Sequence, residues 1–361
     1  MNAMPATPTK PKKVLVALSG GVDSSVAVHL FRQQGWEVEA VVLEFSPEHK
    51  AAVQAAQTVA DQLGVRLHVV PCYEEFWHNV IEPFCREYQA GRTPNPCILC
   101  NPSTKFAGIC RAAQELGFPY VATGHYARVE HLPDGTAQLF RADCRERDQS
   151  YMLHRLTQEQ LSMLLLPLQG MEKSQVRAIA QEAGLASAQA PDSQEICWIP
   201  DNDYASYIEK HFGRCQPGEF ISPDGAVCGT HQGLLHYTVG QRKRLGIALG
   251  YPVFIREIDP ASNRIYLART GEEYFPGITL EQVVVQPNPW LSPEEGSSAQ
   301  LSVKIRSRAG DAPALVTMTG PDTAVVRFAE PQRAPAPGQS CVFYQGDQVL
   351  GGGYIHQQLT V

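Results

Sequence analysis

The stretch VLVALSGGVDSSV, residues 14–26, constrains the fold of this chain more than any other. An apolar run, Val14 to Leu18, meets Ser19, two glycines and Asp23, and a helix-like pattern follows at once. A short apolar run bounded by turn residues reads as a buried strand, and an apolar period near 3.6 reads as a helix. Strand, glycine-rich turn and helix in that order turn backbone N–H groups toward an anion at the positive end of the helix. Gly20 and Gly21 permit the close approach, and Ser19, Ser24 and Ser25 bring hydroxyl donors. A loop built to transfer a γ-phosphate carries a lysine for the outer phosphates and a fixed G-x-x-x-x-G-K spacing. Here both are missing, and Asp23 stands at the centre. Such a loop suits a pyrophosphate with Asp23 near its magnesium, and attack at the α-phosphate of a nucleotide. The same letters also fit a plain Ser/Gly turn at a helix start.

The segments around it extend the pattern. VLVAL (14–18), VEAVVL (38–43), VRLHVV (65–70) and PYVAT (119–123) read as strands. Between them, residues 24–34, 49–63, 73–88 and 104–116 read as helices, with Gly35, Gly64 and Gly117 as C-terminal stops. Strands alternating with helices predict a parallel sheet covered on both faces, with ligands beyond the carboxyl ends of its strands. A hairpin turning at Pro133-Asp134-Gly135 follows, and residues 150–186, including LSMLLLPL, read as helix. From about Asp201 glycine and proline rise. Residues 281–361 alternate with period two, as in LSVKIRS and TAVVRFA, which predicts a small β-barrel or sandwich.

At 361 residues the chain is long enough for two or three domains. It is 43% hydrophobic and 19% charged, and no run approaches the roughly 20 apolar residues of a membrane span. Residues 1–12 read as a loose tail without a signal-peptide core. The ten cysteines form no small-domain disulfide framework, so a cytoplasmic protein is expected. A net charge of −7 argues against binding nucleic acid by bulk positive charge. It leaves room for a local basic groove, and Arg242 to Arg244 and Lys304, Arg306 and Arg308 cluster in that way. Two solvated faces would look the same.

Cys97 and Cys100 lie in TPNPCILCN, whose prolines and asparagines mark a loop, and Cys197 lies in DSQEICWIP. A structural zinc site would want a second CxxC or a close histidine pair, and neither is present. Cysteines 72, 85, 110, 144, 215, 228 and 341 have no chemical company and read as packing or surface residues. An oxygen activated by attack at an α-phosphate would need a nucleophile next, and a thiolate or persulfide attacks well near neutral pH. A second thiol can then release the sulfur as a disulfide forms.

SGGVDSS resembles the PP-loop of the ATP pyrophosphatases, which split ATP into AMP and pyrophosphate. Together with TPNPCILCN, Lys105-Phe106, ATGHYAR (122–128), RDQSYML (147–153), DSQEIC (192–197), GQRKRLGI (240–247), PGQSCVFY (337–344) and LGGGYI, it resembles the tRNA-specific 2-thiouridylases from about Lys13 to the C-terminus. The resemblance implies an α/β fold: a parallel-sheet PP-loop domain over 13–203, a small central tRNA-contacting domain over 204–280 and a C-terminal β-barrel over 281–361. It implies 2-thiolation of the wobble uridine of glutamate, glutamine and lysine tRNAs with ATP and magnesium, supplied by a cysteine desulfurase or sulfur carrier. By position, Ala17, Leu18, Ser19, Gly20, Gly21, Val22, Asp23, Ser24, Leu43 and Gly124 correspond to ATP-contacting places. Cys100 corresponds to the nucleophile and Cys197 to the persulfide carrier, the two closing a disulfide as sulfur is delivered. Asn95, Pro96 and Cys97 match the loop around the target base; His125, Arg147, Asp148, Gln149, Arg306, Ser307 and Gln339 match tRNA contacts.

Two positions depart from the family pattern. Ser307 stands where an aromatic residue is common, and serine cannot stack on a base. Cys97 stands where the persulfide-using members carry an aspartate that assists proton transfer, and a thiol does not replace it at the same pKa. Either Cys97 is a tolerated substitute, or Cys97, Cys100 and Cys197 are ligands of a 4Fe-4S cluster with one iron open to carry sulfide. Rival readings of the whole chain are a PP-loop enzyme adenylating a small molecule and a non-catalytic RNA-binding iron–sulfur protein.

Overall fold

The structure is a computed structural model and describes residues 11–46, 49–190, 196–199 and 203–360. The elements begin β1 (Lys13–Ala17), α1 (Val22–Gln33), β2 (Glu37–Glu44), α2 (Lys50–Leu63), β3 (Leu67–Pro71) and α3 (Tyr73–Phe76). Then come α4 (Glu82–Gln89), α5 (Pro96–Cys100), α6 (Phe106–Leu116), β4 (Tyr120–Ala122) and a hairpin of β5 (Arg128–His131) and β6 (Ala137–Phe140). α7 (Ser150–Leu153), α8 (Gln158–Met163), β7 (Leu164–Leu165) and α9 (Lys173–Glu182) follow. The later part holds α10 (Tyr204–Phe212), β8 (Gly218–Ile221), β9 (Val227–His231), β10 (Val253–Asp259) and β11 (Arg264–Arg269). It ends in β12 (Tyr274–Val285), β13 (Ser298–Lys304), β14 (Ala312–Gly320), β15 (Thr323–Arg333), β16 (Ser340–Gln345) and β17 (Gln348–Leu359).

Two compact units result. The first takes the described residues of 1–80, 97–194 and 347–349; the second takes those of 81–96, 195–346 and 350–361. In the first, a parallel sheet runs in the order β3-β2-β1-β4-β7. Val14, Val16, Val26, Ala27, Phe31, Ala40 and Val42 are buried in its core. Strands covered on both faces have no polar side to show, which is why they read as unbroken apolar runs. Strand order reverses between β1 and β4, and in such sheets the reversal opens a crevice at the carboxyl ends.

In the second unit, β10-β11-β8-β9 form a small mixed sheet over Phe220, Leu235, Tyr237, Ile255 and Ile265. Strands β12-β15-β14-β13-β16-β17 form a ring that β17 closes by pairing back with β12. Closure leaves none of these strands with an open edge. The α/β class with a parallel sheet, a small central sheet and a C-terminal β-barrel is therefore the observed architecture.

Two local readings change. The run LSMLLLPL is not all helix: Leu164 and Leu165 leave α8 and pair in parallel with Val121 and Ala122 of β4. A buried strand and a buried helix share the same apolar letters, so the run alone did not separate them. The cysteine stretch is no loop, since Pro96–Cys100 is helical and continues through a wide π-type turn, Asn101–Lys105, into α6. Proline is favoured in the first turn of a helix, as at Pro96. Pro102, inside the run, lacks the N–H for an i−4 bond, and the wide turn accommodates it.

Candidate functional site

The crevice between β1 and β4 is shaped by glycines whose surroundings admit nothing larger. Gly20 has φ +79°, and a Cβ there would stand 2.7 Å from Cβ of Ala55. A Cβ on Gly124, just past β4, would stand 2.8 Å from the carbonyl carbon of Asp23 and from the amide nitrogen of Ser24. The turn after β4 thus lies directly against the start of α1, whose first amides have no acceptor within their own helix. Gly21 caps α1 without any side-chain bond. Aligned peptide dipoles add positive character at this end, so the pocket is built for an anion.

The serines divide. Ser19 is exposed, and its amide and hydroxyl both lie 3.2 Å from Oγ of Ser24. Ser24 and Ser25 are buried and donate to the carbonyl oxygen of Gly21 at 3.0 and 2.8 Å. Ser25, fully buried, braces the first turn of the helix. Ala17, Gly20, Gly21 and Asp23 are half-buried around the cradle, while Leu18 and Val22 point into the core. Leu43 lies near the end of β2, and a Cβ on Gly108 would stand 3.4 Å both from its Cδ2 and from Sγ of Cys72.

Asp23 is bonded through both of its carboxylate oxygens. Oδ1 accepts from the Tyr126 hydroxyl at 2.7 Å, and Nζ of Lys173 donates to Oδ1 and Oδ2 at 2.8 and 2.7 Å. Neither partner was assigned from the sequence. Tyr126 lay inside a quoted motif without a role. Lys173 follows Asp23 by 150 residues, and no periodicity links the two.

From Tyr126 a chain of bonds leads to the cysteine helix. The Tyr126 amide donates to Oε1 of Gln149 at 2.9 Å, and the Gln149 amide returns to the Tyr126 carbonyl at 2.7 Å. The Met152 amide donates to the Gln149 carbonyl, and Nδ2 of Asn101 donates to the Met152 carbonyl at 2.8 Å. Asn101 is buried and directly follows Cys100. Asp148 braces the same strap, accepting from the amides of Ala142 and Ser150 and from the Ser150 hydroxyl. Of the three residues matched to tRNA contacts here, Asp148 and Gln149 are occupied with backbone groups and Arg147 is exposed.

His125 is half-buried, its Nδ1 2.7 Å from Oγ1 of Thr123 and its ring 5.8 Å from that of Phe106. Burial first, and the charge of Lys105 second, push its pKa down to about 3, so the imidazole is neutral at pH 7. Cys97 and Cys100 sit three residues apart on α5; Cys97 is exposed and Cys100 is buried. Cys72, Cys85, Cys110 and Cys341 are buried too, and burial raises each of these four thiols above its ordinary range.

The other expected residues belong to the second unit. Cys197 is exposed on a turn whose next residue, Trp198, packs edge-on against Phe84 at 5.6 Å. Asp192 to Glu195 of the DSQEIC motif lie outside the described residues, as do residues 1–10 of the expected tail. Nε2 of Gln339 donates to the Thr93 carbonyl at 2.6 Å, two residues before half-buried Asn95 and buried Pro96. The Thr93 amide donates to Pro337, and Arg92 pairs with Glu87 and Glu281. Arg306 gives Nη2 to the carbonyls of Val239 and Ala334 at 3.0 and 2.8 Å, and Ser307 follows it in the turn after β13. Arg242, Lys243 and Arg244 are exposed. Among the described residues no three His, Cys, Asp or Glu side chains are grouped to hold a metal ion.

Family models match almost end to end: a tRNA methyl transferase HUP domain over 12–201, a tRNA methyl transferase PRC-barrel domain over 205–269 and an aminomethyltransferase beta-barrel domain over 281–355. A tRNA-specific 2-thiouridylase MnmA of Carboxydothermus hydrogenoformans is 43% identical, covering 96% of this chain and 98% of the relative. The chain belongs to the tRNA-specific 2-thiouridylase family. Relatives of the same name from Clostridioides difficile, 41% identical over 96% of this chain and 99% of their own, and from Geobacter metallireducens, 40% over 97% and 98%, agree. The family models carry names of methyl transfer, while the full-length relatives carry the name of a 2-thiouridylase.

Proposed function

We propose that this protein uses ATP to replace the C2 oxygen of the wobble uridine of tRNA with sulfur, releasing AMP and pyrophosphate. The observation that carries the proposal is the bonded path Asp23–Tyr126–Gln149–Met152–Asn101, which ties the phosphate cradle to Cys100 within one compact unit. Activation at O2 and sulfur attack at C2 act on one carbonyl group in succession, so their machinery has to keep a fixed spacing.

In the first step the uridine O2 attacks the α-phosphorus of ATP. The bond from that phosphorus to the bridging oxygen breaks, and pyrophosphate leaves with the electron pair. Amides at the start of α1 and the backbone of Ala17 to Ser24 hold the phosphates, and Leu43 and Gly124 border the nucleotide. Magnesium, held by Asp23, would neutralise phosphate charge. In the second step the terminal sulfur of a Cys197 persulfide adds to C2, and AMP leaves. The Cys100 thiolate then attacks Sγ of Cys197, which frees the 2-thiouridine and closes a disulfide; a cellular dithiol reopens it. Neutral His125 sits beside this site as an uncharged hydrogen-bonding group. Asn95, Pro96 and Cys97 surround the base, and Arg147, Asp148, Gln149, Arg306, Ser307 and Gln339 support the tRNA directly or by holding the backbone that meets it.

The same reading takes residues 13–203, 204–280 and 281–361 as the three domains. It takes glutamate, glutamine and lysine tRNAs as substrates, a cysteine desulfurase or sulfur carrier as donor, and the cytoplasm as location. No helix of the described residues is long and apolar enough to cross a membrane.

The test uses iron-free protein, unmodified glutamate tRNA, ATP-magnesium and a cysteine desulfurase with cysteine, followed by mass analysis of the nucleosides. 2-Thiouridine is the expected product, lost in Cys100→Ser and in Cys197→Ser. Product only after anaerobic reconstitution with iron and sulfide would move the sulfur to a cluster held by Cys97, Cys100 and Cys197. No product under either condition would overturn the substrate.

A further inference from the structure

The helix that carries Cys100 does not run evenly into α6. In an α-helix the Phe106 amide would bond the carbonyl four residues back, that of Pro102. Here it bonds the Asn101 carbonyl, five residues back, and so closes the wide turn Asn101–Lys105. The Pro102 carbonyl that it passes over is taken from elsewhere: Nε2 of Gln160, in α8, donates to it at 2.7 Å. We propose that Gln160 is a positioning residue for the Cys100 thiol, because it decides which carbonyl closes the turn that follows. The proposal rests on the thiolation reading above, in which Cys100 attacks, and adds a residue to it.

Three observations separate this from a plain brace between helices. First, the proline does not account for the wide turn. Pro102 lacks the N–H that would reach back to Ile98, but its own carbonyl still accepts, so the ring leaves open which acceptor Phe106 takes. Second, helix capping does not account for the glutamine. Oε1 of Gln160 accepts from the Thr157 amide at 3.0 Å in the capping box of α8, a task that glutamate performs as well. The amide nitrogen on Pro102 is what a glutamate lacks. Third, the turn has other fastenings at other points. Nδ2 of Asn79 donates to the Ser103 carbonyl at 3.3 Å, and Oγ of Ser103 donates to the Leu99 carbonyl at 2.6 Å. Only the bond from Gln160 falls on the acceptor for which the two registers compete.

The geometry gives that choice a consequence. A ring closed five residues back holds one residue more than an α-helical ring, and one residue is about 100° of rotation about the axis. Phe106, Ile109 and Ala113 of α6 are fully buried, so α6 stays and the rotation falls on Cys100. A thiolate that closes a disulfide has to meet its partner sulfur from a set direction, and a turn of that size takes it away. With Gln160 in place the Pro102 carbonyl is satisfied and the wide register holds. Without it the carbonyl draws the Phe106 amide back, since backbone acceptors inside a fold are paired.

The test uses full-length Gln160→Glu, which keeps the capping oxygen and loses the donor, and Gln160→Leu, which loses both. Crystal structures of the variants are expected to show the Phe106 amide on the Pro102 carbonyl and the Cys100 side chain turned. In single turnovers with persulfide-loaded protein, glutamate tRNA and ATP-magnesium, pyrophosphate release should stay within twofold of the parent in both variants. 2-Thiouridine formation should slow at least tenfold, with the KM for ATP unchanged. A Phe106 amide still on the Asn101 carbonyl overturns the proposal, as does an undiminished thiolation rate in Gln160→Glu. Equal loss of pyrophosphate release and thiolation with a lower melting temperature also overturns it, as the mark of a brace. If the parent releases no pyrophosphate with tRNA, the thiolation reading fails, and the crystal structures still decide the register.

Discussion

Adding one methyl group at Gly124 should cost the enzyme its nucleotide before it costs the fold. In Gly124→Ala the new Cβ would lie 2.8 Å from two backbone atoms of Asp23 and Ser24 and 2.9 Å from Cβ of Asp23, where ordinary contact begins at 3.4 Å. The deficit is 3.4 minus 2.8, or 0.6 Å, and backbone cannot rotate out of the way as a side-chain tip would. Either the turn after β4 or the start of α1 must retreat by that amount. A hydrogen bond of about 2.9 Å from the α1 amides would stretch to about 3.5 Å, the edge of usefulness. Overpacking of this size costs about 1–3 kcal/mol. Bound phosphate holds α1 in place, so most of that cost falls on the complex, and each 1.4 kcal/mol is about tenfold. The KM for ATP should therefore rise about ten- to a hundredfold, read as AMP release at saturating tRNA. The empty protein relaxes, and its melting temperature should fall by only about 2–4 °C. Gly117→Ala serves as control: nothing lies within 4 Å of its Cβ but φ is +74°, so it should lower stability and leave the KM alone. An unchanged KM in Gly124→Ala would refute the argument that this glycine sets the cradle.

Three further outcomes follow from other sites. Arg306→Ala strips a charged donor from the carbonyls of Val239 and Ala334, so stability should drop by about 2 kcal/mol with a clear fall in melting temperature; an unchanged melt with weaker tRNA binding would make it a pure RNA contact. Trp198→Ala removes the edge-on packing against Phe84 beside Cys197, so sulfur transfer should slow at least tenfold while AMP formation stays within twofold; equal loss of both would deny it that selective role. His154 is fully buried, and burial, followed by the charge of Arg155, holds its pKa down to about 3. Below about pH 6.5 the unfolded chain takes up a proton that the folded one refuses, so stability falls as pH drops from about 6.5 toward 3. His125 acts in the same direction. Urea midpoints at pH 7 and 5 would show this, and His154→Gln should flatten the slope; equal slopes in parent and variant would contradict it.

The alternation of strands and helices was legible because each element carries its own period, and the ends of β1, β2, α2 and α6 lie within two residues of their expected places. The phosphate cradle was legible for the same local reason. What escaped notice depends on partners far along the chain. Lys173 meets Asp23 across 150 residues, and its letter alone says only that a helix begins with a cation. Arg306 reads as a tRNA contact by resemblance, and the two carbonyls it serves lie too far off in the chain for the sequence to show them. The helix at Pro96 was hidden by prolines, which mark loops by frequency yet fit a first helical turn by geometry.

The bond from Gln339 to the Thr93 carbonyl spans 246 residues of sequence. A ribosome adding about 5–20 residues per second needs roughly 12–50 s to cover that distance. Throughout that interval the lead-in to the cysteine helix exists without the loop that pins it. The newborn chain thus carries Cys97 and Cys100 well before it can hold their approach in place. Any oxidant or stray disulfide partner has its widest opening during synthesis, and an engineer who moves the barrel's coding sequence forward by circular permutation would shorten that opening.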